Sequence, residues 1–348
     1  MSNSYNEVKS KLGVQRITAL WAFSEVALGG ILHILKIPLT GLFIGSAAVI
    51  FISQIAVLSE KKSQILKSAL LVILVKAVVT PFVPLNSFFA VTLQGLLGFV
   101  FFSIFPSKNI SALLLGISAL TFAAFQKLIM MTLLFGNALW DSIDSFVSFI
   151  TSQVPILNFG LNASASFIII LIYTSIHLLA GVIVGYYAGR FDKWLEAKSA
   201  QLKAENIDKD FSEHVFEKRK NGKRKRWWER KSGIVLLCFM ICVMLITYFT
   251  PHLAKIKSID VLFMLIRVIV FSLIWFNFIS PMIVKWIGNF IEKKKFEHAS
   301  EVNRITELFP AFNKIIEYCW FKSATKKGFS RIKAFLSLSL AHLLLIDF

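Results

Sequence analysis

The stretch SALLLGISALTFAAFQKLIMMTLLF, residues 111–135, decides the class of this protein. It is an apolar run of about 25 residues, long enough to cross the hydrocarbon core of a bilayer as one helix. Near its middle it carries Gln126 and Lys127. A lysine at that depth costs roughly 2.5–3.5 kcal/mol on insertion scales unless it is paired or solvated. We therefore expect this helix to face a protein interior or a water-filled cavity, with the function of the protein centred near Lys127.

The composition of the whole chain agrees with a membrane protein. Of its 348 residues, 56% are hydrophobic and only 17% are charged, and the mean hydropathy is +0.69. A soluble domain has about a quarter of its residues charged. The net charge of +18 would suggest nucleic-acid binding in a soluble protein. Most of the basic residues lie between apolar runs, however, so the positive-inside bias and contact with the lipid bilayer explain them, and we expect no nucleic-acid partner.

The order of apolar runs predicts an all-α, polytopic integral membrane protein with about eight transmembrane helices. Prolines or charged residues end several of the runs, as expected where a transmembrane helix stops. The predicted spans cover residues 17–35, 39–58, 65–80, 87–105, 111–135, 165–187, 232–249 and 261–286. The segment 136–162 is predicted to be amphipathic and irregular, lying at the membrane surface or over the mouth of a cavity. Whether the shorter run 332–346 spans or lies at the interface is left open.

Charge divides the chain into three predicted parts. Residues 1–190 form a six-span bundle, residues 191–231 a basic linker, and residues 232–348 a two-span module with amphipathic C-terminal helices. A cytoplasmic N-terminus puts most loop lysines and arginines, including the whole linker, on the cytoplasmic side. The long loop between the fifth and sixth spans then lies outside, and it carries two aspartates and no lysine or arginine. We therefore predict a multi-pass protein of the inner (plasma) membrane with its N-terminus in the cytoplasm.

Polar side chains gather toward the outer half of the first six predicted spans. The functional interpretation is an outward-opening pocket for a small-molecule ligand that carries a carboxylate, a phosphate or another polar acceptor. The two lysines would supply counter-charge, the two glutamines would form hydrogen bonds with the ligand, and the tryptophan would form part of a lid. The predicted ligand-binding set is Lys127, Gln126, Gln94, Lys76, Glu25, His177 and Trp140.

A purely structural interpretation of the same residues stays open. In it, Glu25 pairs with Lys127 or with His177 to hold helices together, and Lys76 only extends to the outer interface. Glycines at four-residue spacing, at positions 181, 185 and 189, indicate close helix packing either within the bundle or against a partner, with internal packing as the default.

Motifs of several enzyme classes are absent from the sequence. It contains no GxxxxGK[ST] loop, no HExxH, no GxSxG and no clustered aspartates of the kind that hold Mg²⁺. Asp141 and Asp144 are interpreted as a solvated pair on the outer loop. We therefore predict no catalytic residues, no metal site and no cofactor, and we expect that the protein is not an enzyme.

The stretch WAFSEVALGGILHILKIPLTGLFIGSAAV, residues 21–49, carries a resemblance. With the six-span topology of residues 1–190, it resembles the substrate-binding S components of energy-coupling factor (ECF) transporters. In that family, small residues on the first span meet a transmembrane coupling subunit. The resemblance implies that role for Ala22, Ala27, Gly29 and Gly30.

The C-terminal part, residues 226–348, resembles a reduced coupling (T) component through its basic amphipathic stretch EVNRITELFPAFNKIIEYCWFKSATKKGF. It lacks the Ala-Arg-Gly motifs by which that component contacts ATPases. The resemblance implies uptake of a small, vitamin-like or anionic molecule with ATPase and coupling subunits on other chains. The alternative is a non-catalytic membrane scaffold or assembly protein that binds partners or anionic lipid through its basic cytoplasmic region.

Overall fold

The computed structural model describes residues 2–34, 39–80, 85–153, 164–204, 293–294 and 297–345. The protein is all-helical, with 92% helix and no strand among these residues. The helices, in chain order, are α1 (Ser2–Phe23), continued by a π-helical segment (Ser24–Leu28) into α2 (Gly29–Ile34), then α3 (Thr40–Leu58), α4 (Ser63–Val79), α5 (Leu85–Ile104), α6 (Lys108–Phe135), α7 (Asn137–Gln153), α8 (Ala165–Ala188), α9 (Phe191–Ala204), α10 (Ala299–Glu307), α11 (Phe309–Lys322) and α12 (Gly328–Leu345).

Four of the described helices are long and apolar enough to cross a membrane. They are α3, α5, α6 and α8, and they coincide within a few residues with the second, fourth, fifth and sixth predicted spans. The first predicted span falls on α1, the π segment and α2, and the third on α4, which has 17 residues. That length is short of the about 20 residues that cross a bilayer without tilt. The predicted spans 232–249 and 261–286 lie outside the described residues.

The chain divides into two compact units. One comprises Met1–Phe125, Thr174–Phe216 and Val284–Phe348, and the other Gln126–Tyr173 and Glu217–Ile283. Two of the dividing points fall within α6 and α8. The C-terminal helices α10 to α12 therefore belong to the same unit as α1 to α5. The predicted division into residues 1–190, 191–231 and 232–348 remains a prediction.

The core of the first unit is the bundle of α1, α3, α4 and α5. Small residues set how closely these helices approach. A Cβ built on Gly95 of α5 would lie 2.5 Å from the Cβ of Ala69 on α4. A Cβ on Gly45 of α3 would lie 2.7 Å from Leu120 Cδ2 on α6. Where lipid provides no hydrophobic drive to bring helices together, close van der Waals packing of this kind stabilises a helix bundle.

The glycines of α8 pack against α6 inside the protein. A Cβ on Gly181 would lie 2.7 Å from the Gly116 carbonyl oxygen, and one on Gly185 would lie 2.7 Å from the Ala112 carbonyl oxygen. A Cβ on Gly189 would likewise lie 2.9 Å from the Cα of Asn109. The predicted default of internal packing is confirmed for this spacing, because the space that a partner helix would need is already occupied by α6.

The C-terminal helices pack on the α1 and α4 side of the bundle. The rings of Phe309 and Phe312, at the start of α11, meet the Phe23 ring of α1 edge-on, with centroids 5.2 and 5.6 Å apart. Arg16 Nε of α1 donates to the Leu343 carbonyl oxygen of α12 at 2.9 Å. On α4, Lys67 pairs with Glu301 of α10 at 2.7 Å. The predicted amphipathic C-terminal helices are therefore attached to the first helices of the chain by both apolar and polar contacts.

In the second unit, the segment predicted to be irregular contains a regular helix, α7. Asp144 accepts hydrogen bonds from the Ser166 backbone N–H at 2.6 Å and from the Ser166 hydroxyl at 2.8 Å. It thereby satisfies a donor at the start of α8 that has no partner within the helix. The interpretation of Asp144 as merely solvated is therefore wrong. The reason is that its partner is 22 residues away in sequence, beyond the reach of a local pattern.

Two carboxylates at helix ends make stability sensitive to acid. Burial alone would raise the pKa of Glu301, but its hydrogen bonds and charge interactions with Lys67 and His298 outweigh burial and lower the pKa below the ordinary 4.5. In the same way Lys108 lowers the pKa of Asp192 below 3.8 despite its burial. A carboxylate with a lowered folded-state pKa stabilises the fold above its ordinary pKa and loses that contribution as pH falls through the lowered value.

We therefore expect wild-type stability to fall as the pH drops below about 4.5, and to fall less in Glu301→Gln. Because both partners are partly exposed, the difference at neutral pH should be no more than about 1 kcal/mol. Melting temperature in detergent between neutral pH and pH 3 checks this, with the exposed Glu307→Gln on the same helix as the control. Identical pH profiles for Glu301→Gln and wild type would show that this ion pair does not hold α10.

Candidate functional site

A buried ion pair joins the first helix of the chain to α4. Lys76 Nζ lies 2.7 Å from Glu25 Oε2, and the two side chains are 5% and 3% exposed. Oppositely charged groups are rarely buried this completely within an apolar bundle, because desolvation of the two ions opposes their attraction. Ionisable side chains within membrane helices are by default functional-site candidates, and here the partner of each is identified.

Local backbone geometry positions each member of the pair. Glu25 lies in the π segment, where the Gly29 N–H donates to the Ser24 carbonyl oxygen, five residues back. A π turn inserts one extra residue, so it rotates the side chains that follow relative to those before it, and such turns are frequent at functional sites. Lys76 lies in the last turn of α4, where a cation is favoured by the helix dipole.

A second polar link sets the register of the same two helices. The Thr18 hydroxyl of α1 lies 2.8 Å from the Ser68 hydroxyl of α4, and both residues are buried. Thr18 precedes Glu25 by about two helical turns, and Ser68 precedes Lys76 by about the same distance. The two helices therefore run parallel, and one hydroxyl pair and one ion pair fix how far one can slide along the other.

Gln94 is the third predicted site residue buried in the first unit. It lies near the middle of α5, and its Oε1 has no hydrogen-bond partner among the described residues. Its Nε2 would lie 3.6 Å from a Cβ on Gly45, so the amide faces α3 where that helix has no side chain. An unpartnered buried amide oxygen costs free energy, and a ligand or a water that donates a hydrogen bond would remove the penalty.

The other predicted residues are placed differently. Lys127 is exposed, as are its neighbours Phe125 and Ile129, so it does not face a packed interior formed by the described residues, and the alternative of a water-filled cavity stays a prediction. The 28-residue helix α6 is mostly unburied around that position, because small residues pack it closely only in its first half. Gln126 is half-buried and has an interaction partner. Trp140 donates from Nε1 to the Thr132 hydroxyl at 3.1 Å.

His177 of α8 is buried and has an interaction partner. Lys127, Gln126 and Trp140 belong to the second unit, and Glu25, Lys76, Gln94 and His177 to the first. The pair that the structure joins is Glu25 with Lys76. The structural interpretation of the sequence paired Glu25 with Lys127 or with His177, and it placed Lys76 at the outer interface. Both expectations are wrong, because the π segment and the parallel register bring Lys76 to Glu25.

The four small residues predicted to dock a partner differ in their surroundings. Ala22 is fully buried beside Phe23, the residue that contacts α11. Gly29 faces Ile44 of α3, whose Cδ1 would lie 3.5 Å from an added Cβ. Ala27 is half-buried, and no described residue lies within 4 Å of where a Cβ on Gly30 would be. The surface next to Ala22 is thus covered by the C-terminal part of the same chain.

Sequence reasoning missed the Thr18–Ser68 link and the pairing of Glu25 with Lys76. Threonine and serine are common in membrane helices, so neither residue carried a signal. One signal was available in the spacing. Thr18 and Glu25 are seven residues apart and Ser68 and Lys76 are eight apart, so each of these two pairs lies on one face of its helix.

Comparison with protein families, with curated proteins and with known structures returned no match to this chain.

Proposed function

We propose that this chain is the substrate-binding subunit of an uptake system in the inner (plasma) membrane. It takes up a small polar, vitamin-like or anionic molecule, with ATPase subunits on other chains. The N-terminus is cytoplasmic, about eight helices cross the membrane, and no step is catalysed by the chain itself. The observation that carries the proposal is the enclosed Glu25–Lys76 pair beside a π turn within an apolar bundle.

The pair suits a binding site because each ion can exchange partners. A ligand carboxylate or phosphate would accept hydrogen bonds from the Lys76 ammonium, and the Glu25 carboxylate would accept a hydrogen bond from a donor group of the ligand. The amide oxygen of Gln94, which has no partner among the residues that the structure describes, would accept a further hydrogen bond from the ligand. The ligand-contact roles of Lys127, Gln126, His177 and Trp140 are part of this proposal, and Lys127→Ala tests the first of them.

The C-terminal helices support the coupling part of the proposal. In the family that the sequence resembles, a separate subunit meets the small-residue face of the first span. Here Phe309 and Phe312 of α11 contact Phe23, directly after Ala22. A change in α1 on ligand binding would therefore be transmitted to α11 through these rings, and from there to partner subunits.

The test is native mass spectrometry of full-length protein purified gently from its own membranes. We expect the wild type to retain a small molecule that the double variant Glu25→Leu/Lys76→Met loses, because that variant replaces both ions and leaves neither one unpaired. The surface variant Lys67→Gln serves as the control and should retain the ligand.

A ligand retained equally by wild type and double variant would place binding elsewhere in the protein. No ligand in any sample, together with a reproducible protein partner, would reject uptake and favour the membrane scaffold.

A further inference from the structure

The turn between α11 and α12 carries an exposed surface that is both apolar and basic. We call residues 320–336 the hairpin tip. Phe329 is 81% exposed and Phe321 is 55% exposed, which is unusual for phenylalanine outside a membrane span. Exposed large apolar side chains of the tip are Trp320, Phe321, Phe329, Ile332 and Leu336.

The charges of the hairpin tip are all of one sign. From residue 322 to residue 345 the sequence contains five lysines and arginines and no aspartate or glutamate. Lys326, Lys327 and Lys333 are exposed. Residues 320–336 therefore carry no acidic side chain of their own that would offset these charges, and a partner with negative charge next to apolar material fits this surface.

The shape of the tip is held by its own contacts. The Arg331 guanidinium lies 4.2 Å from the centre of the Trp320 ring, and that ring meets Phe335 edge-on with centroids 5.2 Å apart. Gly328 adopts a φ of +58°, a left-handed conformation that glycine accepts without strain and that starts α12 in a new direction. Phe329, Ile332 and Leu336 are spaced by three and four residues in α12, so they share one face of this helix.

We infer that the hairpin tip lies in the interface of the membrane and binds anionic lipid headgroups. Aromatic and aliphatic side chains on one face with lysines beside them are the composition of helices that rest in the headgroup region. The helix α12 is not among the four described helices that could span, although its first half exposes apolar side chains. Charge complementarity selects anionic lipid as the occupant, and the adjacent bilayer supplies it at high local concentration.

The inference does not depend on the proposed uptake function, because it requires only that the chain is anchored in a bilayer. Its experiment uses the full chain with Ser330→Cys carrying an environment-sensitive fluorophore, reconstituted in nanodiscs. Burial raises the pKa of the Cys319 thiol to about 11, so that thiol stays protonated and unreactive at neutral pH. Protein without Ser330→Cys, treated identically, accounts for labelling at the remaining cysteines.

In nanodiscs that contain phosphatidylglycerol, we expect a blue-shifted emission that quenchers attached to lipid chains reduce. In phosphatidylcholine alone, we expect the label to remain accessible to aqueous iodide. Lys326→Gln/Lys327→Gln should weaken the phosphatidylglycerol-dependent state about fivefold for each lysine removed. The matched variant Arg304→Gln/Lys314→Gln removes two exposed charges outside the hairpin tip and should leave it unchanged.

Four results would overturn the inference. The label could be equally accessible to iodide in both lipid mixtures, or equally shielded in both, which would remove the role of anionic lipid. The matched variant could weaken shielding as much as the tip variant, which would show a general charge effect. Shielding that appeared only after addition of an acidic partner protein would assign the surface to protein binding instead. Phe329→Ser, which keeps every charge, should reduce lipid quenching while preserving the preference for phosphatidylglycerol.

Discussion

Lys76→Met alone is expected to destabilise the full-length protein by about 3–5 kcal/mol, because it leaves the Glu25 carboxylate buried without a counter-charge. The two side chains are almost fully enclosed, so little water can replace the lost ammonium. The measurement is the free energy of reversible unfolding in lipid bicelles or mild detergent. Glu25→Leu alone should have an effect of similar size, since it leaves the Lys76 ammonium without its partner.

The double variant Glu25→Leu/Lys76→Met separates stability from function. It replaces a buried ion pair by apolar side chains, a change that is often neutral or stabilising. We therefore expect its unfolding free energy to return close to the wild-type value. Lys67→Gln on the same helix is the surface control and should change stability by no more than about 1 kcal/mol. A double variant as unstable as the single ones would show that packing at this position, rather than charge, is what the singles disturb.

Together with the mass-spectrometry experiment, this series distinguishes the two interpretations of the pair. A double variant that folds and keeps its ligand would make Glu25 and Lys76 a packing device of α1 and α4. A double variant that folds and loses its ligand would make them part of the binding site. Stability alone cannot answer this question, because both interpretations predict unstable single variants.

Gly181→Ala/Gly185→Ala should destabilise the protein by about 1–3 kcal/mol for each site. Each added Cβ would meet backbone atoms of α6 at 2.7 Å, and backbone cannot rotate away as a side chain can. The helices α6 and α8 would have to separate along their contact. The measurement is again the unfolding free energy, supported by the yield of monodisperse protein in size-exclusion chromatography.

The matched control for these glycines is Gly30→Ala in α2. A Cβ there would have no atom of the described residues within 4 Å. It should be neutral, or stabilising by up to about 1 kcal/mol, since alanine favours a helix over glycine. If Gly181→Ala/Gly185→Ala changed the unfolding free energy as little as Gly30→Ala, the close approach of α8 to α6 would be refuted. Docking of a partner helix on the glycine face of α8 would then be the better explanation of the spacing.

Hydrophobic length predicted part of the fold well. The helices α3, α5, α6 and α8 lie where apolar runs of spanning length placed them, because a membrane helix must satisfy its backbone internally and cover itself with apolar side chains. The glycine spacing in α8 likewise predicted close packing. The surroundings of Lys127 were predicted less well, since depth in the sequence does not reveal which way a helix face points.

By itself, the sequence determined that this protein is helical, that it contains helices able to cross a membrane, and approximately where they begin and end. These are properties of consecutive residues, read from the length and composition of each run. Only the tertiary structure decided that Glu25 meets Lys76, that Asp144 caps α8 and that α11 covers the first helix at Phe23. Such contacts depend on the rotation and register of helices far apart in the chain. A single π turn at Ser24–Leu28 is enough to alter them.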